Sequence, residues 1–140
     1  MQISPSQFAA LAEFRHQIRK FLHFSEQAAR ASGLEPQQHQ LLLALKGRRE
    51  ETPTIGYLAE RLQIRHHSTV ELVDRMCERG WVRRMPSPDD KRCVMVELTK
   101  SGDAVLRKLS AEHLSELEQT GPALVAALEF LRPALQAEAR

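Results

Sequence analysis

Cysteine is nearly absent. Cys77 and Cys93 are the only two in 140 residues, too few to staple a small secreted fold, so a reducing cytoplasm is the expected setting. Long apolar runs are missing too. None approaches the roughly 18 residues of a membrane span, and none near the start resembles a secretory signal. The chain has no glycine-rich phosphate loop, no metal-ligand spacing and no nucleophile motif, so an enzyme is not expected, nor is a metal or cofactor. Strong charge of one sign is the last absence: 20 Lys and Arg against 18 Asp and Glu leave +2. What remains, 42% hydrophobic and 27% charged residues, suits an ordinary soluble globular protein, and the length suits one domain.

The small net charge hides an uneven distribution. Residues 1–60 carry seven basic and six acidic groups, and residues 93–140 carry five and seven. Between them, residues 61–92 hold eight basic groups (Arg61, Arg65, Arg75, Arg79, Arg83, Arg84, Lys91 and Arg92) against five acidic. A central excess of +3 between near-neutral flanks fits a local phosphate-binding surface. It fits a solvated helix face of mixed charge equally well.

Periodicity orders the chain into helices with one β interruption. From Ser6 to Gly33 there is no internal Gly or Pro, and Phe8, Leu11, Phe14 or Ile18, Phe21 and Leu22 follow three-and-four spacing. That spacing predicts a long amphipathic helix. Glu35-Pro36 opens a second helix, rich in leucine from Leu41 to Leu45. Thr54 is an N-cap candidate for a short helix over 55–62, and a further helix begins near His66, faces inward with Thr69, Leu72, Val73 and Met76, and ends at Gly80. Two short helices joined by a brief turn are a helix-turn-helix pattern. Trp81 to Met85 and Arg92 to Leu98 then read as strands around the turn cluster Pro86 to Lys91, a hairpin placed as a wing. Thr99 caps a helix with Val105, Leu106, Leu109, Leu114 and Leu117 as its apolar set. Gly121-Pro122 is expected to break it before a last apolar helix from Ala123 to Leu131, disturbed at Pro133. The fold class is mainly α with a small β-hairpin wing.

Within the wing region the sequence resembles the MarR (multiple antibiotic resistance regulator) family. Asp74-Arg75-Met76 with Glu78, Arg79, Gly80, Val82 and Arg84 carries the likeness, as do Asp90-Lys91-Arg92 and Val96-Glu97-Leu98-Thr99 with Gly102. Leu58-Ala59-Glu60-Arg61-Leu62 resembles the family's first helix-turn-helix element. The resemblance implies a winged helix-turn-helix with N- and C-terminal dimerisation helices, residues 1–34 and 99–140, around a DNA-binding lobe over 35–98. It also implies a homodimeric transcription regulator, commonly a repressor, that binds a palindromic double-stranded operator and releases it when a small molecule binds. The terminal helices, apolar over more surface than one 140-residue chain readily covers, independently favour a partner. A two-fold dimer would set its recognition helices about 34–36 Å apart, matching successive major grooves. Four residues depart from the family pattern: Gln63 at a turn position where Gly is frequent, Thr69 at an inward aliphatic position, and Val70 and Glu71 in the recognition helix. A known operator therefore does not transfer.

Candidate DNA-binding residues follow from the chemistry of the grooves. Arg92, at the end of the wing turn, suits a narrow minor groove, and Asp90 could orient it by a charge-assisted hydrogen bond. The alternative is a surface pair that only stabilises the turn. Lys91, Arg83 and Arg84 are phosphate or solvent groups. Arg65, His66, His67 and Ser68 sit where backbone N–H groups and the helix dipole favour phosphate. The adjacent histidines do not share a helix face, which argues against a metal pair. Val70 suits a thymine methyl. Glu71 suits a cytosine amino group or an i,i+4 ion pair with Arg75, itself otherwise a backbone clamp. Cys77 and Cys93 read as structural thiols. By resemblance, an effector, anionic or aromatic, would lie between dimer helices and DNA-binding lobe among Phe14, Arg15, Ile18, Phe21, His39, Leu43 and Trp81, unless these are core and interface groups. A winged-helix protein–protein module without DNA binding is the competing function.

Overall fold

The computed structural model describes residues 1–89 and 92–139; the proposed Asp90 and Lys91 lie outside the described residues. The elements run α1 (Pro5–Ala31), α2 (Pro36–Gly47), α3 (Ile55–Leu62), α4 (His66–Glu78), β1 (Val82–Pro86), β2 (Val94–Leu98) and α5 (Lys100–Ala139). The strands pair antiparallel, with Val82 opposite Leu98, Arg84 opposite Val96 and Pro86 opposite Val94. The chain packs as two bodies, one of Met1–Ala28 with the chain from Ala111 onward, the other of Ala29–Ser110. The long helices α1 and α5 each contribute to both.

The second body holds most of the core. Leu41, Leu42 and Leu45 of α2, Leu58 of α3, Val73 and Met76 of α4, Val96 of β2 and Leu106 and Leu109 of α5 are all buried. α2 and α3 each begin where the sequence provides a cap. The Glu35 backbone N–H donates to Gln38 Oε1 at 2.9 Å before Pro36 opens α2, and Thr54 Oγ1 accepts from the Tyr57 N–H at 3.1 Å before α3. The hairpin is anchored beyond its own pairing by a bond from the Val96 N–H to the Pro53 carbonyl at 2.9 Å.

At the start of α5 the chain is tightly confined. The Gly102 N–H donates to Thr99 Oγ1 at 3.1 Å, and the Thr99 hydroxyl reaches the Gly80 carbonyl at 2.6 Å. Ser101 Oγ donates to the same carbonyl at 2.8 Å. Thr99, predicted as a cap, thus also ties α5 to the segment that ends α4. In the next turn Asp103 receives Arg107 Nε at 2.7 Å and Lys46 Nζ at 2.9 Å. The hydrogen bond from Arg107, then that from Lys46, holds its carboxyl below the usual carboxylate range. The proton is bound less tightly folded than unfolded, so the ionised form favours the folded state. This stabilisation is complete above the unfolded carboxyl's pKa and is lost as pH falls through the lower, folded value. Asp103→Asn should flatten the dependence of the urea midpoint on pH across that acidic window, and an unchanged dependence would exclude the contribution.

One expectation gives way in the long helices. α5 runs without a break through Gly121-Pro122, where two helices were predicted. A proline inside a helix costs about 3 kcal/mol through its missing N–H and a clash with the carbonyl four residues back. Against that stands a continuous stripe. Leu106 and Leu109 are buried, His113, Leu117, Thr120 and Leu124 half-buried, and Ala127 and Leu131 buried again. The three-and-four phase never slips across the Gly-Pro pair, so packing on one line outweighs the local penalty. In α1 the shielded stripe is Ala10, Phe14, Gln17, Phe21, Phe24 and Ala28, while Phe8, Leu11 and Leu22 of the apolar spacing are exposed. Leu114, of the apolar set of α5, is exposed as well. These helices carry more apolar side chains than their own body covers.

Candidate nucleic-acid interface

The turn between α3 and α4 depends on one residue in an unusual conformation. Gln63 lies in the left-handed region, φ 55° and ψ 44°, which a Cβ disfavours and glycine adopts freely. Its side chain offsets part of that cost, since Nε2 donates to the Glu60 carbonyl at 2.8 Å. The predicted departure at this position is therefore tolerated, and the helix-turn-helix geometry forms. Thr69, the other departure, is fully buried in an aliphatic site, and its hydroxyl is satisfied by the Arg65 carbonyl at 2.9 Å.

α4 presents its first turn to solvent. Arg65 is the N-cap residue, with its backbone extended and no side-chain cap bond. Arg65, His66 and His67 are exposed and Ser68 is half-buried. Free backbone N–H groups, the positive end of the helix dipole and a cation thus share one turn, the arrangement that receives a phosphate oxygen. Further along, Val70 is half-buried while Glu71 and Arg75 are exposed. Glu71 Oε2 and Arg75 Nη2 stand 3.9 Å apart, a loose and solvated pair that a passing ligand could open at little cost. The inward set Thr69, Leu72, Val73 and Met76 is buried as the periodicity predicts.

In the wing, Arg92 is exposed, one residue before Cys93 and two before β2. The Ser87 N–H bonds to the Cys93 carbonyl at 3.0 Å and closes the described base of the turn. Arg83 pairs with Glu97 across the hairpin. Arg84 instead turns to α4, where Nη2 meets Asp74 Oδ1 at 2.6 Å. Asp74 carries part of the family resemblance but is absent from the candidate DNA-binding residues read from sequence. Its signal was the solvent-side stripe of positions 70, 74 and 77, in reach of a strand position in phase with buried Val82.

The proposed effector residues fall in both bodies. Phe14, Ile18 and Phe21 are half-buried and Arg15 is exposed, all on α1. Phe21 and Phe24 meet the His113 ring edge-on at 5.9 and 5.3 Å, and that ring bonds Ser25 Oγ at 2.8 Å. In the second body His39 is buried, and Trp81 is half-buried with its indole N–H unbonded among the described residues. Exposed Leu43 lines a groove of about 320 Å³ with Ala44, Tyr57, Arg61 and Leu62. The first body has its own apolar groove of about 460 Å³, walled by Ala9, Ala10, Ala123, Ala126, Ala127 and Phe130. Cys77 is half-buried and Cys93 exposed. Among the described residues no three His, Cys, Asp or Glu gather as metal ligands, and no helix is long and apolar enough to cross a membrane.

Comparison with known proteins supplies the rest. A family model described as the MarR family matches residues 32–92, from the end of α1 through the wing turn. The transcriptional regulator PecS of Dickeya dadantii is 33% identical over 57 residues, 41% of this chain and 34% of that protein. Over the whole fold, the chain superimposes on the MarR family regulator AbsC of Streptomyces coelicolor with a TM-score of 0.75. It covers 99% of this chain and 98% of AbsC at 18% identity. A mutant MarR of E. coli, solved in complex with operator DNA, gives a TM-score of 0.69 and 25% identity over 86% of this chain and 89% of its own. The helix-turn-helix and wing of this chain are thus similar to those of the MarR family. The chain's five helices and antiparallel hairpin are the mainly α winged helix-turn-helix of MarR regulators. The matches to the curated relatives PecS, YhbI of Bacillus subtilis and Salmonella typhimurium MarR span between 33% and 48% of their lengths. Likeness at the sequence level is thus concentrated in the MarR family's helix-turn-helix, and likeness of the long helices rests on shape.

Proposed function

We propose that this chain is a homodimeric, sequence-specific DNA-binding transcription regulator of the cytoplasm, a ligand-responsive repressor rather than an enzyme. The observation that carries the proposal is the exposed first turn of α4, with Arg65, His66 and His67 together, in a fold whose E. coli relative was solved on operator DNA. Residues 35–98 form the lobe that meets the duplex, and residues 1–34 and 99–140 make the dimer. Arg65, His66, His67 and Ser68 meet phosphate. Val70 and Glu71 face base edges once the loose Glu71–Arg75 pair opens, which frees Arg75 for the backbone. Arg92 enters the minor groove, steered by Asp90, while Lys91 adds charge at the wing tip. An anionic or aromatic effector is met by Arg15 and the α1 side chains Phe14, Ile18 and Phe21.

A selection of genomic fragments on the purified protein tests the proposal. It should retain a palindromic duplex with affinity that falls steeply with salt, because two sets of phosphate contacts release counterions together. Retention of no fragment would favour a protein–protein module. In the same assay Arg92→Ala should weaken operator binding by about tenfold, the size of one lost groove contact, with an unchanged thermal midpoint. Parental affinity at matched salt would remove Arg92 from the interface.

A further inference from the structure

Arg83 and Arg84 are neighbours in β1, and the pleat sends them opposite ways. Arg83 pairs with Glu97 and its side chain is 66% exposed; Arg84 is 35% exposed and lies over the recognition helix. Nη2 of Arg84 stands 2.6 Å from Asp74 Oδ1 and donates to the Val70 carbonyl at 3.4 Å, while Nη1 is 3.9 Å from Cys77 Sγ. Positions 70, 74 and 77 form one stripe of α4, so a single guanidinium spans two turns of that helix. The fork geometry of arginine permits several such contacts at once, which the point charge of lysine does not.

We propose that Arg84, held by Asp74, is a positioning residue that fixes the wing against the recognition helix. Base reading by α4 and groove entry by Arg92 then occur in one register. The proposal rests on the DNA-binding function above. Two contacts on one duplex reinforce each other only when the distance between them is set beforehand; freedom between wing and helix must otherwise be lost on binding. A two-stranded hairpin has little stability of its own to set that distance. Asp74 supplies the second half of the reasoning. A carboxylate on the solvent side of a helix that approaches phosphates lowers affinity by charge alone. Its place is accounted for if it orders Arg84.

The sign of one substitution therefore separates the alternatives. The full-length parent, Arg84→Ala, Arg84→Lys, Asp74→Ala and the Arg84→Ala/Asp74→Ala double variant would be titrated with the selected operator and with a scrambled duplex across salt. Arg84→Ala, Arg84→Lys and Asp74→Ala should each weaken operator binding by about tenfold, and the double variant no more than either alanine variant alone. The salt slope should be unchanged, and binding to the scrambled duplex should move by less than about twofold. Tighter operator binding by Asp74→Ala would overturn the proposal. So would an Arg84→Ala variant that loses equally on both duplexes with a reduced salt slope, or an Arg84→Lys variant that binds like the parent, since both mark a phosphate ligand. Amide exchange of β1 and β2 in the free protein supplies a readout without DNA: it should accelerate in Arg84→Ala and Asp74→Ala, and unchanged exchange would overturn the clamp. If the parent bound no duplex while exchange still accelerated, the regulator function would fall and the clamp would stand.

Discussion

Replacing Gly102 by alanine should destabilise the protein by about 3 kcal/mol or more, the upper range for forced overpacking in a core. A Cβ at this position would lie 2.0 Å from the Trp81 carbonyl oxygen and 3.0 Å from its carbon. No side-chain rotation relieves that contact, because both atoms belong to backbone. The backbone there is also committed: the Trp81 carbonyl accepts the Thr99 N–H at 3.2 Å, and the Trp81 N–H bonds the Met76 carbonyl at 2.9 Å. Moving Trp81 thus loosens the end of α4, and moving Gly102 loosens the cap of α5. Set against a total stability of about 5–15 kcal/mol, the loss is a large fraction. Urea denaturation followed by the fluorescence of Trp81, the only tryptophan, reports on this very segment. An alanine variant with the parental midpoint would show that the approach of helix to strand is looser than described.

The second large effect is expected at the far end of α5. Phe130 is 63% exposed in the single chain, and Phe8, Leu11, Val125 and Leu128 of the same body are exposed with it. In the proposed dimer these side chains are covered by the second copy. Phe130→Asp removes the burial of a phenyl ring twice over by symmetry, about 3–6 kcal/mol across the pair, or about two to four powers of ten in the dimerisation constant. Ultracentrifugation at micromolar concentration should then find a monomer. Operator affinity should fall by about a hundredfold, because the two half-sites are no longer engaged together. Since Phe130 is exposed in the isolated chain, its loss leaves the chain's own core intact, and the helical circular dichroism should persist. A variant that remains dimeric would place the interface elsewhere.

Much of the helix-turn-helix and its wing was legible in the residues themselves. Thr54 and Thr99 cap where they were expected to cap, the inward face of α4 is the predicted one, and the strands start within one or two residues of their predicted ends. Local chemistry sufficed there, because caps and alternation act over three or four residues. The error is of another kind. Gly121-Pro122 is a strong local stop, and it was overruled by a burial stripe extending from Leu106 to Leu131. For Phe8, Leu11, Leu22 and Leu114 the apolar spacing left the covering chain open, since hydrophobicity does not say which chain will cover it. Gln63 was a doubtful turn residue by type, and only the bond to the Glu60 carbonyl shows how it is accommodated.

The sequence by itself determined the order of elements, the family resemblance and the concentration of positive charge between residues 61 and 92, because each follows from local pattern. Tertiary structure alone decided what that charge does. Arg83 and Arg84 are adjacent and chemically identical, yet one closes on its own hairpin and the other reaches Asp74 on α4. That distinction depends on strand pleat and on where α4 lies, and neither is encoded within the reach of neighbouring residues. The same holds for Gly102, whose need for a bare Cα comes from a carbonyl 21 positions earlier in the chain. Contacts between distant segments exist only once the fold has formed, so they set the roles of single side chains after the sequence has set their kind.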